Sequence, residues 1–290
     1  MNVLSLFDGM SCGRLALKKA GIPVNKYYAS EIDKGAITIS KDNWTDIVHI
    51  GDVCSINPSE LPKIDIIFAG SPCQGFSSNG KQEGLKHKQS RLFWEFIRLL
   101  KALKPKYFLL ENVSMKKEWL DIISAEVGCE PIKINSSLVT AALRARFYWT
   151  NIPNVTQPKD KGLTITDILE IPTSVKQPML SKDNKAYCIT ATHANCMDAK
   201  GIPYASEIIH NTKRHQRTCI LQDDNVWRML TPVEVERLQT VPDGYTSAVP
   251  DKQRYKALGN GWTVDVIAHL LKGVKRKRPT GKRILVIQSP

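Results

Sequence analysis

The sequence predicts an α/β protein, a doubly wound and mostly parallel sheet with a second, smaller domain. Three observations predict it. Short apolar runs alternate with amphipathic helical stretches through the first 150 residues, a small-residue turn joins the first run to the first helix, and the pattern breaks after Pro153. Strand alternating with helix covers both faces of a parallel sheet and puts ligands at the carboxyl ends of the strands. At 290 residues the chain is long enough for one large core, or one large and one small.

The elements follow in order. NVLSLF (2–7), KYYASE (26–31), DIVHI (46–50), IDIIFA (64–69), KYFLLE (106–111) and the stretch around RARFYWTN (144–151) read as strands. Between them SCGRLALKKAG, DKGAITISKDN, RLFWEFIRLLKAL and SMKKEWLDIISAE read as helices. In the third helix Leu92, Phe93, Phe96, Leu99, Leu100 and Leu103 recur at helical spacing, a face suited to pack on a sheet. From 154 to about 225 the long apolar runs give way to scattered Pro, Lys, Asn, His and Thr, the composition of a smaller, irregular domain. A helix then starts in RMLTPVEVERLQ, where Thr231 caps, Pro232 takes the first helical position and Glu234 stands at capping-box spacing. After the VPDGYT turn, GNGWTVDVIAHLLKG carries Val264, Ile267, Ala268 and Leu271 on one face and ends at Gly273.

Composition excludes several classes. Seven cysteines, Cys12, Cys54, Cys73, Cys129, Cys188, Cys196 and Cys219, leave one over under any full pairing, and no two stand in a C-x2-C arrangement. Neither a disulfide framework nor a structural zinc site is expected; free thiols in a reducing cytoplasm are. The opening VLSLF is broken by Asp8 and Gly9, too short for a signal segment, and no run approaches the length of a membrane span. A formal net charge of +13 favours a polyanionic partner, and its densest contribution is KGVKRKRPTGKR, residues 272–283. Such a run reads either as a solvated end or as an auxiliary contact to a nucleic acid backbone.

LSLFDGMSCGRLAL is a strand, a small-residue turn and a helix. Gly9 and Gly13 let the backbone approach a ligand, while Ser11 and the helix N-terminus offer donors. The turn has neither the G-x-G-x-x-G dinucleotide spacing nor the G-K-[ST] of a P-loop, which removes support from nicotinamide and ATP. Glu31 closes the second strand, where a carboxylate can accept both hydroxyls of a ribose. Asp52 follows the third and could accept from an exocyclic adenine amine, with Ile32 and Val53 enclosing the ring. Asp8 could help receive a cationic, methionine-like moiety. The competing reading makes Glu31, Asp33 and Asp52 caps of helices or turns. Taken together, the turn and the acids on successive strands favour S-adenosylmethionine without proving it.

The stretch GSPCQGFSSNG places Cys73 after a proline at the end of an apolar run, a position open to a nucleophile, a metal ligand or a small buried residue. Its company is informative. FDGMSCG, SEID, GSPCQGFS, ENV, RAR, LTPVEVERLQTVPD and GNG occur in this order over nearly the whole chain. The chain therefore resembles the DNA (cytosine-5) methyltransferases, in length a stand-alone bacterial or phage enzyme. RLFWEFIRLL and AALRARFYWTNIP resemble the de novo animal branch. The resemblance implies methyl transfer from S-adenosylmethionine to C5 of a cytosine turned out of double-stranded DNA, with Cys73 as the nucleophile. Chemistry agrees. Cytosine C5 is too weakly nucleophilic to attack a methyl sulfonium unaided, whereas a thiolate added at C6 makes C5 an enamine carbon, and a thiolate leaves as well as it attacks. A free thiol, with a pKa of about 8.5, is only a few per cent ionised at neutral pH, so backbone donors and positive charge are expected to assist.

By the same resemblance Glu111 contacts N3 and the exocyclic amine of the target base, and proton donation or a shared hydrogen bond at N3 lowers the barrier to attack at C6. A cap for the helix SMKKEWL is the competing reading. Arg146 corresponds to the arginine that binds the base O2, with Arg144 as a second contact near O2 or the sugar-phosphate, and Asn112 is expected to brace local backbone. Many bacterial members carry glutamine two residues before the first arginine, where this chain has Ala142; the branch with RAR lacks it too. Phe7, Gly70 and Pro72 join Asp8, Gly9, Ser11, Gly13, Glu31, Ile32, Asp52 and Val53 at the implied cofactor site. Asn260 and Val264 resemble the closing motif that returns beside the first turn. The catalytic domain is then discontinuous, 1–155 with 256–290, and 156–255 forms the small target-recognition domain.

QGFSSNGKQEGLKHKQS follows Cys73 with glycines, cations and little apolar content. It reads as an ordinary surface loop or, because a duplex hides C6, as one that fills the vacated stack and shields the adduct. Gln74, Ser77 and Arg91 are its candidate contacts to DNA. Sequence reading is expected from 176–225, through Thr190, Thr192, His193 and Asn195 and through Lys213, Arg214, His215 and Arg217. Major-groove geometry permits Arg or Lys on guanine and Asn on adenine, although each side chain can touch phosphate instead. Cys188, Cys196, His193 and His215 match no zinc-finger spacing, and no metal is expected. A tRNA cytosine-5 methyltransferase and a non-catalytic DNA-binding regulator are the alternatives; a deaminase would need an H-x-E zinc set, which is absent. The expected enzyme is a cytoplasmic monomer, with a separately encoded restriction nuclease as a further partner.

Overall fold

A computed structural model describes residues 1–71, 91–170, 184–193, 218–221 and 227–274. Its main sheet contains β1 (Asn2–Leu6), β2 (Lys26–Ser30), β3 (Ile47–His49), β4 (Ile66–Gly70), β5 (Tyr107–Asn112), β6 (Ile132–Asn135) and β7 (Ala145–Thr150). They lie in the order β3-β2-β1-β4-β5-β7-β6. The first five in that order pair in parallel, and β7 is antiparallel to both β5 and β6. The chain winds outward from β1 to β3, then crosses back to β4, so the carboxyl ends of β1 and β4 border the crevice where such sheets bind ligands.

Among the described residues seven α-helices form: α1 (Cys12–Lys19), α2 (Lys34–Asn43), α3 (Arg91–Leu103), α4 (Lys117–Val127), α5 (Pro232–Leu238), α6 (Asp251–Asn260) and α7 (Val264–Leu270). Alternate strand residues feed two cores, because successive side chains leave a strand on opposite faces. Val3, Ile66, Phe68, Leu109 and Tyr148 pack with Leu15 of α1, Ile39 of α2, Val235 of α5, Leu258 of α6 and Ile267 of α7. Leu4, Leu6, Ile67, Ala69, Leu110 and Trp149 pack with Phe93, Phe96 and Leu99 of α3 and Ile123 of α4. Each such fully buried apolar side chain contributes about 1.5–3 kcal/mol. Trp149 is buried without stranding its donor, since Nε1–H donates to Ser124 Oγ at 3.0 Å.

The helix start at Thr231 forms as its spacing requires: Thr231 Oγ1 accepts from Glu234 N at 3.2 Å, and Glu234 Oε2 accepts from Thr231 N at 2.9 Å. Buried Glu234 also takes both terminal nitrogens of Arg228, at 2.7 and 2.8 Å. Arg228 lies in β9 (Trp227–Met229), which pairs antiparallel with β8 (Cys219–Leu221). Packing continues from the first turn into residues 235–255. Val235, Leu238, Val241, Tyr245 and Tyr255 share the core of Val3 and Ala16. Tyr245 Oη donates to Met10 O and accepts from Trp44 Nε1, both at 2.9 Å. A stretch this short buries its apolar face only by docking on α1 and α2.

One close approach is unforgiving. A Cβ added at Gly259 would stand 2.3 Å from the carbonyl carbon of Thr190 and 2.4 Å from Ala191 N. Both are backbone atoms, which cannot swing aside. Gly259→Ala is expected to cost about 1–3 kcal/mol or more, seen as a lower urea midpoint at unchanged slope. An unchanged midpoint would refute this packing.

Candidate active site

The turn from β1 to α1 is strained. Phe7, Gly9 and Ser11 have φ of 56°, 60° and 64°, the left-handed region that glycine tolerates and phenylalanine does not. Two carboxylates hold it. Asp8 Oδ1 accepts from Tyr27 Oη at 2.6 Å and Oδ2 from Ser11 Oγ at 2.5 Å. Glu31 Oε2 accepts from Gly9 N at 2.8 Å, while Oε1 accepts from Ile32 N at 2.7 Å and Asp33 N at 2.8 Å. Burial pushes the Asp8 carboxyl up to about 6; hydrogen bonds from Ser11, Ser5 and Tyr27 oppose this, and the charge of Glu31 adds to it.

A cavity of about 430 Å³ opens beside this turn, a size usual for small-molecule sites. Of the residues expected at a cofactor site, Phe7, Asp8, Gly9, Glu31, Ile32, Asp52, Val53, Gly70 and Asn260 line it. Three other expected residues stand behind the wall. Ser11 is fully buried under Asp8, Gly13 lies against Phe68 and Tyr27, and Val264 is buried with its N–H on Gln239 O. Pro72 lies outside the described residues.

The lining fits S-adenosylmethionine. Ile32 is 71% exposed, an apolar side chain held open on the cavity wall with Val53 also lining it, as a purine ring requires. Asp52 Oδ1 caps Cys54 N at 2.9 Å, and its second oxygen can take a donor. Glu31 already holds three backbone N–H groups, so of roughly four acceptor positions one is left. That remaining position faces the cavity, where a ribose hydroxyl is the expected donor. Asp33 is the helix cap of the competing reading: its Oδ1 accepts from Ala36 N at 3.0 Å, and its Oδ2 pairs with Lys256 of α6 at the cavity rim.

The chemistry-bearing side chains gather at the other end of the same cavity. Gly70, Glu111 and Tyr148 stand in register across β4, β5 and β7. Arg146, two residues from Tyr148 on the same face, places Nε 3.0 Å from Glu111 Oε1, and the side chains are 14% and 11% exposed. Glu111 is no helix cap, since α4 begins at Lys117 with Lys116 in the cap position. Asn112 braces backbone as expected: Nδ2 donates to Ser71 Oγ at 3.1 Å and Oδ1 accepts from Val113 N at 2.8 Å. Arg144 departs from expectation. Buried at 5% exposure, it donates to the carbonyls of Gly261 at 2.8 Å, Gly259 at 3.3 Å and Ile189 at 3.4 Å. Those bonds tie the closing turn and residues 184–193 to β7 and leave little of the guanidinium for a base.

Cys73, Gln74, Ser77, Asn195, Lys213, Arg214 and Arg217 lie outside the described residues, and Arg91 opens α3 with its side chain outside the description. Thr192 is exposed. His193, expected at the DNA, is instead 2% exposed and packed on Tyr255, ring centroids 5.2 Å apart. Trp262 was not anticipated: it lines the cavity, abuts Gly70 and meets Phe68 edge-on at 6.1 Å. Its place directly after GNG was the available signal. Lys256 and Cys188 had none. Cys12, Cys54, Cys129, Cys188 and Cys219 form no disulfide. Among the described residues no group of three His, Cys, Asp or Glu could hold a metal ion, and no helix is long and apolar enough to cross a membrane.

The strand order with its antiparallel β7, the cavity at the crossover and the acids at its strand ends define an S-adenosylmethionine-dependent methyltransferase. The C-5 cytosine-specific DNA methylase family matches residues 1–118 and 142–276, and the chain belongs to that family. It is an enzyme that methylates cytosine C5 in DNA. The chain is similar to the type II methyltransferase M.NlaX of Neisseria lactamica, 30% identical over 300 residues that cover 94% of this chain and 96% of that protein. It is 29% identical over 306 residues to the type II methyltransferase M1.ScrFI of Lactococcus lactis subsp. cremoris, covering 91% of this chain and 75% of that one. Its fold is shared with the Entamoeba histolytica methyltransferase EhMeth, at a TM-score of 0.71 and 19% identity over 94% of this chain and 97% of that chain.

Proposed function

We propose that the enzyme acts on a cytosine turned out of duplex DNA, through a covalent bond from Cys73 to C6. The observation that carries this reading is the buried Glu111–Arg146 pair at the cavity, in a strand register that sets Glu111 beside Gly70, three residues before Cys73. Their pairing compensates both charges and holds a carboxylate and a guanidinium side by side for the N3 and O2 edge of one base. The Cys73 thiolate adds to C6, Glu111 protonates or shares a hydrogen bond with N3, and Arg146 binds O2 as charge develops there. Phe7, Asp8, Gly9, Glu31, Ile32, Asp52 and Val53 would hold S-adenosylmethionine, whose methyl sulfonium would supply the electrophilic methyl for C5 and leave a neutral thioether. Loss of the C5 proton to a base then lets Cys73 leave as thiolate and restores the aromatic ring.

Residues 176–225 read the target sequence in this reading, with Thr192, Asn195, Lys213, Arg214 and Arg217 as candidates, and the run 272–283 docks on phosphate. The enzyme works as a monomer in a bacterial or phage-infected cytoplasm, the compartment that holds both DNA and reduced thiols. A separately encoded restriction nuclease would match the type II designation of its relatives. Labelled methyl transfer to duplex DNA and to tRNA tests the substrate, and transfer to tRNA alone would sink the reading. Mapping methylated cytosines in cells expressing the chain then gives the site.

The Asp8 carboxyl makes cofactor binding pH-dependent. Its folded pKa is raised to about 6, so it is ionised above that pH and neutral below. A cationic ligand favours the ionised form, and affinity should fall as pH falls through 6. If binding requires the anion, Kd for S-adenosylmethionine rises about tenfold between pH 7 and 5, and Asp8→Asn flattens the profile. Calorimetric titration checks this; an equal slope in both proteins would remove Asp8 from the cofactor's reception.

A further inference from the structure

The two arginines of RAR stand two residues apart, Arg144 just before β7 and Arg146 within it, and both reach Cys188. Arg146 has a carboxylate partner in Glu111, whereas Arg144, buried more deeply, donates to the neutral carbonyls of Ile189, Gly259 and Gly261. Two guanidiniums against one carboxylate leave a buried positive charge that carbonyl dipoles offset only in part. Among the described residues, the ionisable atom that reaches both is Cys188 Sγ, 3.5 Å from Arg144 Nη1 and 3.9 Å from Arg146 Nη2. The backbone just before it is fixed: Ala186 O accepts from Leu143 N at 2.8 Å and Tyr187 N donates to Thr218 Oγ1 at 2.9 Å.

We propose that Cys188 is the second anion of this cluster, a resident thiolate that completes Glu111–Arg146–Cys188–Arg144 and positions Arg146 for the target base. The inference rests on the assignment of Arg146 to that base. Burial alone would raise the Cys188 thiol, but the two guanidiniums outweigh it and bring it below the ordinary range. The neighbouring acids do not compete for the charge. Burial, with the carboxylate of Glu111, pushes the Tyr148 hydroxyl up, and burial pushes the Cys12 thiol, which faces Arg144 from α1, up to about 12. Cys188 therefore ionises at a pH where both stay neutral. As a thiolate it holds Arg146 Nη2 while Glu111 holds Nε, and two anchors on one guanidinium stop it from swinging away from the cavity.

The test uses the full chain carrying Cys73→Ser, which removes the catalytic thiol. Alkylation by iodoacetamide between pH 5 and 10, resolved by peptide mass spectrometry, reads the ionisation of Cys188 by itself. The inflection is expected below about 8.5, the value of a free thiol; one at or above it overturns the proposal. This measurement needs no turnover and keeps the native Cys188, so it stands even where a Cys188 variant misfolds or where Arg146 proves not to touch the base. In otherwise wild-type protein, Cys188→Ser and Cys188→Ala should lower kcat about 10–100-fold, the scale of a misplaced active group, with KM for cofactor unchanged. Cys188→Asp keeps an anion and should recover most of that loss. A purely packing role predicts the reverse order, alanine tolerated and aspartate worst, and that order refutes the thiolate.

Discussion

Cys73→Ala is expected to reduce methyl transfer by about 10⁴-fold or more, the scale on which a covalent nucleophile is missed, while duplex and cofactor binding stay largely intact. The thiol enters only the bond to C6. Among the described residues, the cofactor cavity is lined by the first turn, the residues after β2 and the strand ends. The complementary experiment traps the intermediate. A duplex with 5-fluorocytosine at the mapped site should couple to the wild-type protein and survive denaturing electrophoresis, because fluorine cannot depart as the C5 proton does. Normal methylation of ordinary DNA with no coupling to the fluorinated duplex would eliminate the covalent route.

Glu111→Gln should lower the single-turnover rate by about 10²–10⁴, the range for a positioned acid or base. Glutamine preserves size and hydrogen bonding but has no carboxylate to take part in proton sharing at N3. It also removes the charge facing Arg146 Nε at 3.0 Å. Breaking a buried pair from one side costs about 3–5 kcal/mol, so a lower Tm should accompany the loss of rate, and the rate must be read on protein shown to be folded. Cofactor affinity should change little, since Glu111 lies at the far end of the cavity from Ile32 and Asp52. A rate within about threefold of wild type, too small for acid–base help, would leave Glu111 as a partner for Arg146 and nothing more.

The sheet was legible because its central strands are continuous apolar runs, as burial on both faces demands. IDIIFA and KYFLLE became β4 and β5, with Ile66, Ile67, Leu109 and Leu110 fully buried. β6 escaped notice because IKIN is four residues at the sheet edge with only Ile134 fully buried. α6 escaped because DKQRYKALGN buries little beyond Tyr255, Leu258 and Gly259 and so lacks an amphipathic stripe. At the site, residues that chemistry selects by type and strand position, such as Glu31, Asp52 and Glu111, were readable and do line one cavity. Arg144 was not, because its carbonyl partners lie 45 to 117 residues away and a backbone carbonyl leaves no mark in a sequence. His193 misled for a related reason: a polar type in a basic segment suggests solvent, and only the placement of Tyr255 turns it inward.

The packing of α7 on α1 sets a schedule for synthesis. Val3, Leu15 and Ala16 leave the ribosome long before Val264, Ile267 and Leu270, which belong to the same core. Lys19 waits as long for Thr240 and Asp265, its partners at 2.6 and 2.8 Å. Until then a nascent chain shows an uncovered apolar face on α1, the kind of surface that invites aggregation or a chaperone, and contacts so distant along the chain form slowly. A ribosome stalled before residue 259 also leaves Arg144 with no Gly259 or Gly261 carbonyl to hold. A nascent chain that stops short of α7 thus lacks part of this core and the Asn260–Trp262 wall of the cavity, and methylation is expected to wait for that segment.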